Sequence, residues 1–248
     1  MYGYGGSILR VNLTDGTVRQ HPTEEHMARA YLGGRGLNVK RLWDELPAHT
    51  SGLSPGNQLV FGVGPLVGTT FPGGARFNIT AMSPQTGILG DSNAGGFFGP
   101  ELKFARYDQV IIQGRAERPV YLCIRDGEVE LRDAGALWGR DVWDTTAAIH
   151  QELGDTDAQV AAIGQGAENG VLFAGVFVNL NRAAARTGMG AVMASKNLKA
   201  LAVRGTGSFP VANMRRFQQI IERLDGIIYN HPEFDIRSRL GTTKLIKA

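Results

Sequence analysis

The chain reads as an α+β protein carrying an internal duplication. Three observations predict it. Strand-like runs follow one another in series, where a βαβ protein would alternate strands with helices. The 34 glycines are about twice the usual share of roughly 7%. They gather between strand-like runs, at 33–36, 62–68, 73–74, 87–99, 164–170 and 188–190, as tight backbone corners would. And two stretches echo each other. "ELKFARYDQVIIQGRAERPV" (101–120) and "NLKALAVRGTGSFPV" (197–211) share Leu-Lys, a β-rich run, Gly and then Pro-Val. This pairs Gly114 with Gly205 and Pro119 with Pro210, at a period of about 90 residues. Upstream, "NAGGFFG" (93–99) answers "NRAAARTGMGA" (181–191), so two glycine-rich turns would face each other about a pseudo-twofold axis.

The elements follow in order. "SILRVNL-TDG-TVRQHP" is a hairpin around a turn signal. "TEEHMARAYLGG" has acids in its first turn and glycines past its end, the marks of a helix. A short helix follows Gly36 with Leu37, Val39, Leu42 and Trp43. "NQLVFGVGPLVGT" is a strand breaking into a loop, and "ARFNITAMS" alternates with period 2. A helix begins within "DSNAGGFFGPELKFA", and "YDQVIIQG" is a buried strand. "VYLCIRDGEVELRD" is a hairpin with Asp126-Gly127 at its turn. "DVWDTTAAIHQELG" is a helix ended by Gly154, while "AQVAAIG", "VLFAGVFVN" and "LKALAVRG" are strands. From Asn213, Phe217, Ile220, Ile221, Leu224, Ile227 and Ile228 mark one face of a helix, which His231-Pro232 stops. "RSRLGTTKLIKA" then ends the chain without a closing element. The expected division is a domain over 1–208 and the truncated start of a helical domain over 209–248.

Composition excludes several classes. Hydrophobic residues make up 43% and charged residues 20%, as in ordinary soluble proteins. A net charge of +3 does not argue for nucleic acid. No apolar run approaches the roughly 20 residues that span a bilayer, and the cytoplasm is the expected compartment. The single cysteine, Cys123, lies in an apolar run and is expected in the core. The five histidines show no ligand spacing, there is no phosphate-binding Gly-x-x-x-x-Gly-Lys, and "GQGAENG" lacks the helix a dinucleotide loop requires. No catalytic acid, base or nucleophile is assigned. What remains suits a polyanion. Arg76 stands at a strand start, Asn93, Gly95 and Gly96 offer backbone groups, and Arg182 and Arg186 lie among small residues. Guanidinium groups grip phosphate through two parallel hydrogen bonds, and glycine turns add N–H donors.

The ordered series "ILRVNLTDG", "YLGGRGL", "LSPGNQLVFGVGPLVGT", "GGARFNITAMSPQTG", "NAGGFFGPELKFARYD", "GQGAENGVLFA" and "NRAAARTGMGAVMASKNLKA" resembles the N-terminal domain of the aldehyde ferredoxin oxidoreductase family. The resemblance covers almost all of residues 1–210. It implies two β-sheets related by a pseudo-twofold, forming a platform for a tungstopterin, a bis-molybdopterin carrying tungsten or molybdenum on dithiolene sulfurs. Asn93 and Ala183 would offer backbone carbonyls to a magnesium ion bridging the two pterin phosphates. The implied cofactor-binding set is Arg76, Asn93, Ala94, Gly95, Gly96, Arg182, Ala183, Ala185 and Arg186. The family's 4Fe–4S cluster uses cysteines in domains that follow this one, and this chain has none of them. The implied reaction oxidises an aldehyde to a carboxylic acid and passes electrons through the cluster to ferredoxin or another electron-transfer protein. The full-length protein would be a homo-oligomer or a complex subunit. Family members also act on aromatic thioesters, and the rival reading is a non-catalytic pterin-binding or scaffold module. Taken alone, these residues are expected to hold cofactor poorly and not to oxidise aldehydes.

Overall fold

The computed structural model describes residues 1–247. The first six strands are β1 (Ser7–Asn12), β2 (Thr17–Pro22), β3 (Leu59–Val63), β4 (Phe77–Met82), β5 (Leu89–Ala94) and β6 (Tyr107–Gln113). The next six are β7 (Val120–Arg125), β8 (Glu128–Asp133), β9 (Gln159–Ala162), β10 (Val176–Val178), β11 (Arg182–Ala184) and β12 (Leu198–Arg204). Helices α1 (Glu25–Tyr31), α2 (Arg35–Glu45) and α3 (Phe98–Phe104) fall in the first half. Helices α4 (Val142–Leu153), α5 (Gln165–Glu168) and α6 (Met189–Ser195) fall in the second. The architecture is α+β, with two mixed six-stranded sheets.

The sheets repeat one topology. The first runs β2-β1-β6-β3-β4-β5 and the second β8-β7-β12-β9-β10-β11, each label raised by six. The parallel pair β1·β6 recurs as β7·β12, and every other pair is antiparallel in both sheets. Even the irregularity recurs. Between β1 and β6 the register jumps from Ser7↔Tyr107 to Ile8↔Gln109, skipping Asp108. Between β7 and β12 it jumps from Val120↔Leu198 to Tyr121↔Ala200, skipping Lys199. Gly114 and Gly205 each follow the last residue of the equivalent strands β6 and β12, as the sequence predicts. Pro119 and Pro210 both offer carbonyls, to Ala134 N–H at 2.8 Å and to Gly3 N–H at 2.8 Å. The Leu-Lys echo is a coincidence, however. Leu102-Lys103 lies in α3, whereas Leu198-Lys199 begins β12.

The inner faces of the sheets share one core with α3 and α6. Phe61, Phe77 and Phe98 meet there with ring centroids 4.9 to 6.3 Å apart, beside Met189, Val192 and Leu201. Each such buried side chain contributes about 1.5–3 kcal/mol. The outer faces carry one helix each. α2 closes over Ile8, Val60 and Ile111 through Leu42, and α4 over Tyr121, Cys123, Val160 and Ala202 through Ile149. Cys123 is buried, and burial pushes its thiol up.

Buried charges fix the two bulges. Asp108 accepts from Gly5 N–H and Gly6 N–H at 2.9 Å each, from Thr23 Oγ1 at 2.7 Å and from Lys103 Nζ at 3.1 Å. Burial pulls Lys103 below the usual lysine range, and Asp108 opposes that pull. At the equivalent position Lys199 pairs with Glu168 and donates to Arg140 O at 2.8 Å.

Several elements differ from expectation. β5 and β11 are strands that the glycine- and alanine-rich sequence conceals, because such residues favour strands weakly. "VLFAGVFVN" is extended only at Val176–Val178, and "GQGAENG" holds the one-turn helix α5. After the sheets, α7 (Met214–Tyr229) starts where Asn213 Oδ1 accepts from Arg216 N–H at 2.9 Å. Its apolar face is largely bare, with Ile221 buried but Ile220, Ile227 and Ile228 exposed. Where the sequence reading has no closing element, the described residues form α8 (Phe234–Leu240) and a 3-10 helix (Gly241–Lys247). No helix among the described residues is long and apolar enough to cross a membrane.

Candidate functional site

The edges of the two sheets meet at one place. β5 and β11 are the terminal strands of their sheets, so each lacks a ladder partner on one side and presents backbone groups there. Cross-bonds join the two edges. Ser92 Oγ accepts from Arg186 N–H at 3.1 Å, Asp91 O accepts from Thr187 Oγ1 at 3.2 Å, and Asn179 Oδ1 accepts from Phe97 N–H at 2.8 Å.

Strand register relates the two edges residue by residue. Gly62 lies opposite Asn78, and Asn78 opposite Asn93. In the second sheet Ala162 lies opposite Phe177, and Phe177 opposite Ala183. Asn93 and Ala183 therefore occupy equivalent positions. The two glycine clusters of the sequence lie beside each other at this junction.

Two glycines here have different reasons. Gly96 has φ +97°, and a Cβ on it would fall 2.4 Å from Asn179 Oδ1, so the close approach of the two edges requires it. Gly95 has no such need. A Cβ there would meet nothing within 4 Å, and its φ is not left-handed. Its bareness serves no internal packing, and it leaves peptide open to whatever approaches from outside.

The arginines complete the surface. Arg76 stands just before β4, Arg182 opens β11 and Arg186 follows it, and all three are exposed. Among the described residues none of the three guanidinium groups has a salt bridge or a hydrogen bond. Other arginines are committed: Arg10 and Arg41 pair with Glu45, Arg204 with Glu101, and, at this corner, Arg35 with Asp91 at 2.5 Å. Beside Ala75, Gly96 and Arg182 opens a cleft of about 640 Å³, walled on the far side by Trp143 and His150 of α4. His150 is already engaged there, its Nε2 lying 2.8 Å from Ala158 O.

Such a surface fits a phosphate-bearing cofactor. Three uncommitted guanidiniums supply charge-assisted donors. Gly95 and the exposed Ala183 and Ala185 keep side chains out of the way. Ala94, also in the sequence-derived set, is buried. Among the described residues there is no group of three or more His, Cys, Asp or Glu that could hold a metal ion. Three residues that sequence reading missed also belong to this corner: Arg35, Asn78 and Asp91. Asn78 sits in an alternating strand where a polar residue reads as solvent-facing, yet α2 covers it.

Known proteins share this fold. Residues 8–205 match the family model described as aldehyde ferredoxin oxidoreductase, N-terminal domain. A tungsten-containing aldehyde ferredoxin oxidoreductase of Pyrococcus abyssi (strain GE5 / Orsay) is 48% identical over 221 residues, which are 89% of this chain and 36% of the relative. Its namesake in Pyrococcus furiosus is 43% identical over 232 residues, 94% of this chain and 38% of the relative. The active site complex BamBC of benzoyl coenzyme A reductase, solved with 1,5-dienoyl-CoA, superposes with a TM-score of 0.91 at 40% identity, over 94% of this chain and 35% of the other. The chain thus spans about a third of the length of the proteins it matches.

Proposed function

The chain belongs to the aldehyde ferredoxin oxidoreductase family through its N-terminal domain, and we propose that it is the pterin-binding base of a tungsten-dependent oxidoreductase. The observation that carries this reading is the trio of uncommitted arginines around the bare peptide at Gly95, where the two sheet edges meet. Arg76, Arg182 and Arg186 bind the phosphates of two pterins, and Gly95 with Gly96 lets them lie against the main chain. The carbonyls of Asn93 and Ala183 would hold a magnesium ion that accompanies the phosphates. Magnesium takes oxygen ligands and keeps company with phosphate, so two carbonyls and two phosphates suit it. Ala185 completes the lining by being small, whereas Ala94 lies in the core.

When bound, the tungstopterin would supply two-electron redox chemistry. The net reaction of the whole protein would be RCHO + H2O → RCOOH + 2 H⁺ + 2 e⁻, with ferredoxin as the electron acceptor. Cys123 is the only cysteine and is buried, so the ligands of any iron–sulfur cluster would lie outside these residues. This chain's own part is to bind and orient the cofactor. The likeness to BamBC favours a second reading, in which the same base serves a reaction on an aromatic thioester. A module holding pterin without turnover is the third.

The test is cofactor binding. The purified chain is titrated anaerobically with pterin cofactor released from a tungsten enzyme, and bound pterin, tungsten and magnesium are measured per chain. A charge-assisted contact contributes about 1.5–3 kcal/mol, so Arg76→Ala weakens binding about tenfold or more, and Arg76→Lys recovers part of it. Equal binding by wild type and Arg76→Ala removes Arg76 from the site. Arg182→Ala is expected to weaken binding as Arg76→Ala does, and absence of any pterin binding by the wild-type chain ends the pterin reading for this chain.

A further inference from the structure

The two sheets differ most beneath the edge strands. In the first sheet, a line of side chains runs under α2 to Asn93. Gln109 Nε2 donates to Asn38 Oδ1 at 2.9 Å. Asn38 Nδ2 donates to Asn78 Oδ1 at 3.0 Å, and Thr80 Oγ1 donates to the same oxygen at 2.5 Å. Asn78 Nδ2 then donates to Asp91 Oδ2 at 3.0 Å and to Asn93 Oδ1 at 3.2 Å. Asp91 Oδ2 also takes Arg35 Nε from the first turn of α2. Asn38, Asn78, Thr80 and Gln109 are each 2% exposed or less.

Burying amides is costly unless their bonds are made, so this line calls for a reason. The fold does not supply one. At the equivalent positions the second sheet has Phe177 for Asn78 and Ala200 for Gln109, with the same topology and register. The difference lies in what the edge strand carries. Ala183 has no side-chain oxygen. Asn93 does, and Asp91 stands two residues before it on the same face of β5. A carboxylate and an amide oxygen are hard ligands for a divalent cation, and a free carboxylate repels phosphate.

We infer that Asn78, together with Arg35, is a positioning residue of the cofactor platform, and this rests on the pterin reading above. By engaging Asp91 Oδ2 and Asn93 Oδ1, the pair keeps both side-chain oxygens off the bridging cation. The cation would then be left to main-chain carbonyls and phosphates, and the negative charge of Asp91 is offset by Arg35 at the surface. Asn78 touches neither cofactor nor cation.

The experiment compares the wild-type chain with Asn78→Ala, Asp91→Asn and the double variant carrying both. Each is titrated with released pterin cofactor in the presence of Mn²⁺, a magnetic substitute for Mg²⁺, and the bound Mn²⁺ is read by electron paramagnetic resonance. Asn78→Ala is expected to weaken pterin binding at least tenfold and to change the Mn²⁺ spectrum as a carboxylate enters its coordination. The double variant, with no carboxylate to release, is expected to regain most of the affinity and the wild-type spectrum. Thermal midpoints report folding separately, and Asn78→Ser serves if Asn78→Ala does not fold. Unchanged affinity and spectrum in the single variant overturns the inference, as does a loss that Asp91→Asn fails to restore. Absence of binding by the wild-type chain defeats the pterin reading itself, and this inference with it.

Discussion

Opposite the central residue of each edge strand, the first sheet places Asn78 and the second Phe177. Asn78 is covered by α2, whereas Phe177 reaches solvent beside the uncovered end of the second sheet. One pair inward stand Gly62 and Ala162, again at one shared position. Gly62 has no Cβ because Asn38 Oδ1 occupies the space, 2.2 Å from where that Cβ would be. Ala162 has one because no amide lies over it. The bulges contrast in the same way, with an anion at Asp108 and a cation at Lys199, each neutralised in the core. Backbone topology thus survives a reversal of charge and an exchange of amide for aromatic, provided each half satisfies its own buried groups. What a half buries is set locally, and what it presents at the edge follows from that.

Five variants break or sharpen this contrast, and chemical denaturation measures each. The largest effect is expected at Asp108→Ala. It strands Lys103 in the core and leaves Gly5, Gly6 and Thr23 without their acceptor, and breaking such a buried pair costs about 3–5 kcal/mol. Removing both second-half charges at once, with Lys199→Met and Glu168→Gln, leaves no lone buried charge and is expected to cost less. A double variant as unstable as Asp108→Ala would mean that the second pair does more than neutralise itself. Next comes Gly62→Ala, which overpacks Asn38 and is expected to cost about 1–3 kcal/mol. Its mirror image, Ala162→Gly, is expected to cost about 1–2 kcal/mol, from chain entropy and the loss of one buried methyl. Equal costs in the two directions would show that the amide line yields more easily than its geometry suggests. The smallest effect concerns the outer helices. α4 is capped by Asp141, whose Oδ1 accepts from Asp144 N–H at 2.8 Å, while α2 begins at Gly34 without a side-chain cap. Asp141→Ala is expected to cost about 1 kcal/mol.

Much of this fold is legible in the sequence, and the illegible parts share a cause. Hairpins such as Val120–Arg125 with Glu128–Asp133 announce themselves by alternation and by Asp126-Gly127, which adopt φ of +47° and +99°. The edge strands do not. "LGDSNA" and "RAA" lack β-branched and aromatic residues, and neighbours across the sheet, together with the meeting of the two edges, make them strands. The duplication is legible through Gly114 and Gly205, but not through Leu-Lys, where two common pairs fell into different elements. In the candidate site the arginines and glycines stand out because their side chains, or lack of them, suit phosphate. Arg35, Asn78 and Asp91 do not stand out, since their meaning depends on a helix folding over a strand some 40 residues away in sequence (Asn38 to Asn78).

Where the chain leaves the platform it is fastened to where it began. Gly3 N–H donates to Pro210 O at 2.8 Å, and Phe209 stacks on Phe104 with centroids 6.2 Å apart. Phe104 is the last residue of α3, whose first turn adjoins Gly96 and Phe97. A seven-residue helix is a stiff rod about 10 Å long at 1.5 Å per residue. Any torque applied to the segment beyond Pro210 therefore enters at a pivot one rod's length from the glycine turn. The platform and its exit are mechanically in series, and neither can shift far without loading the other.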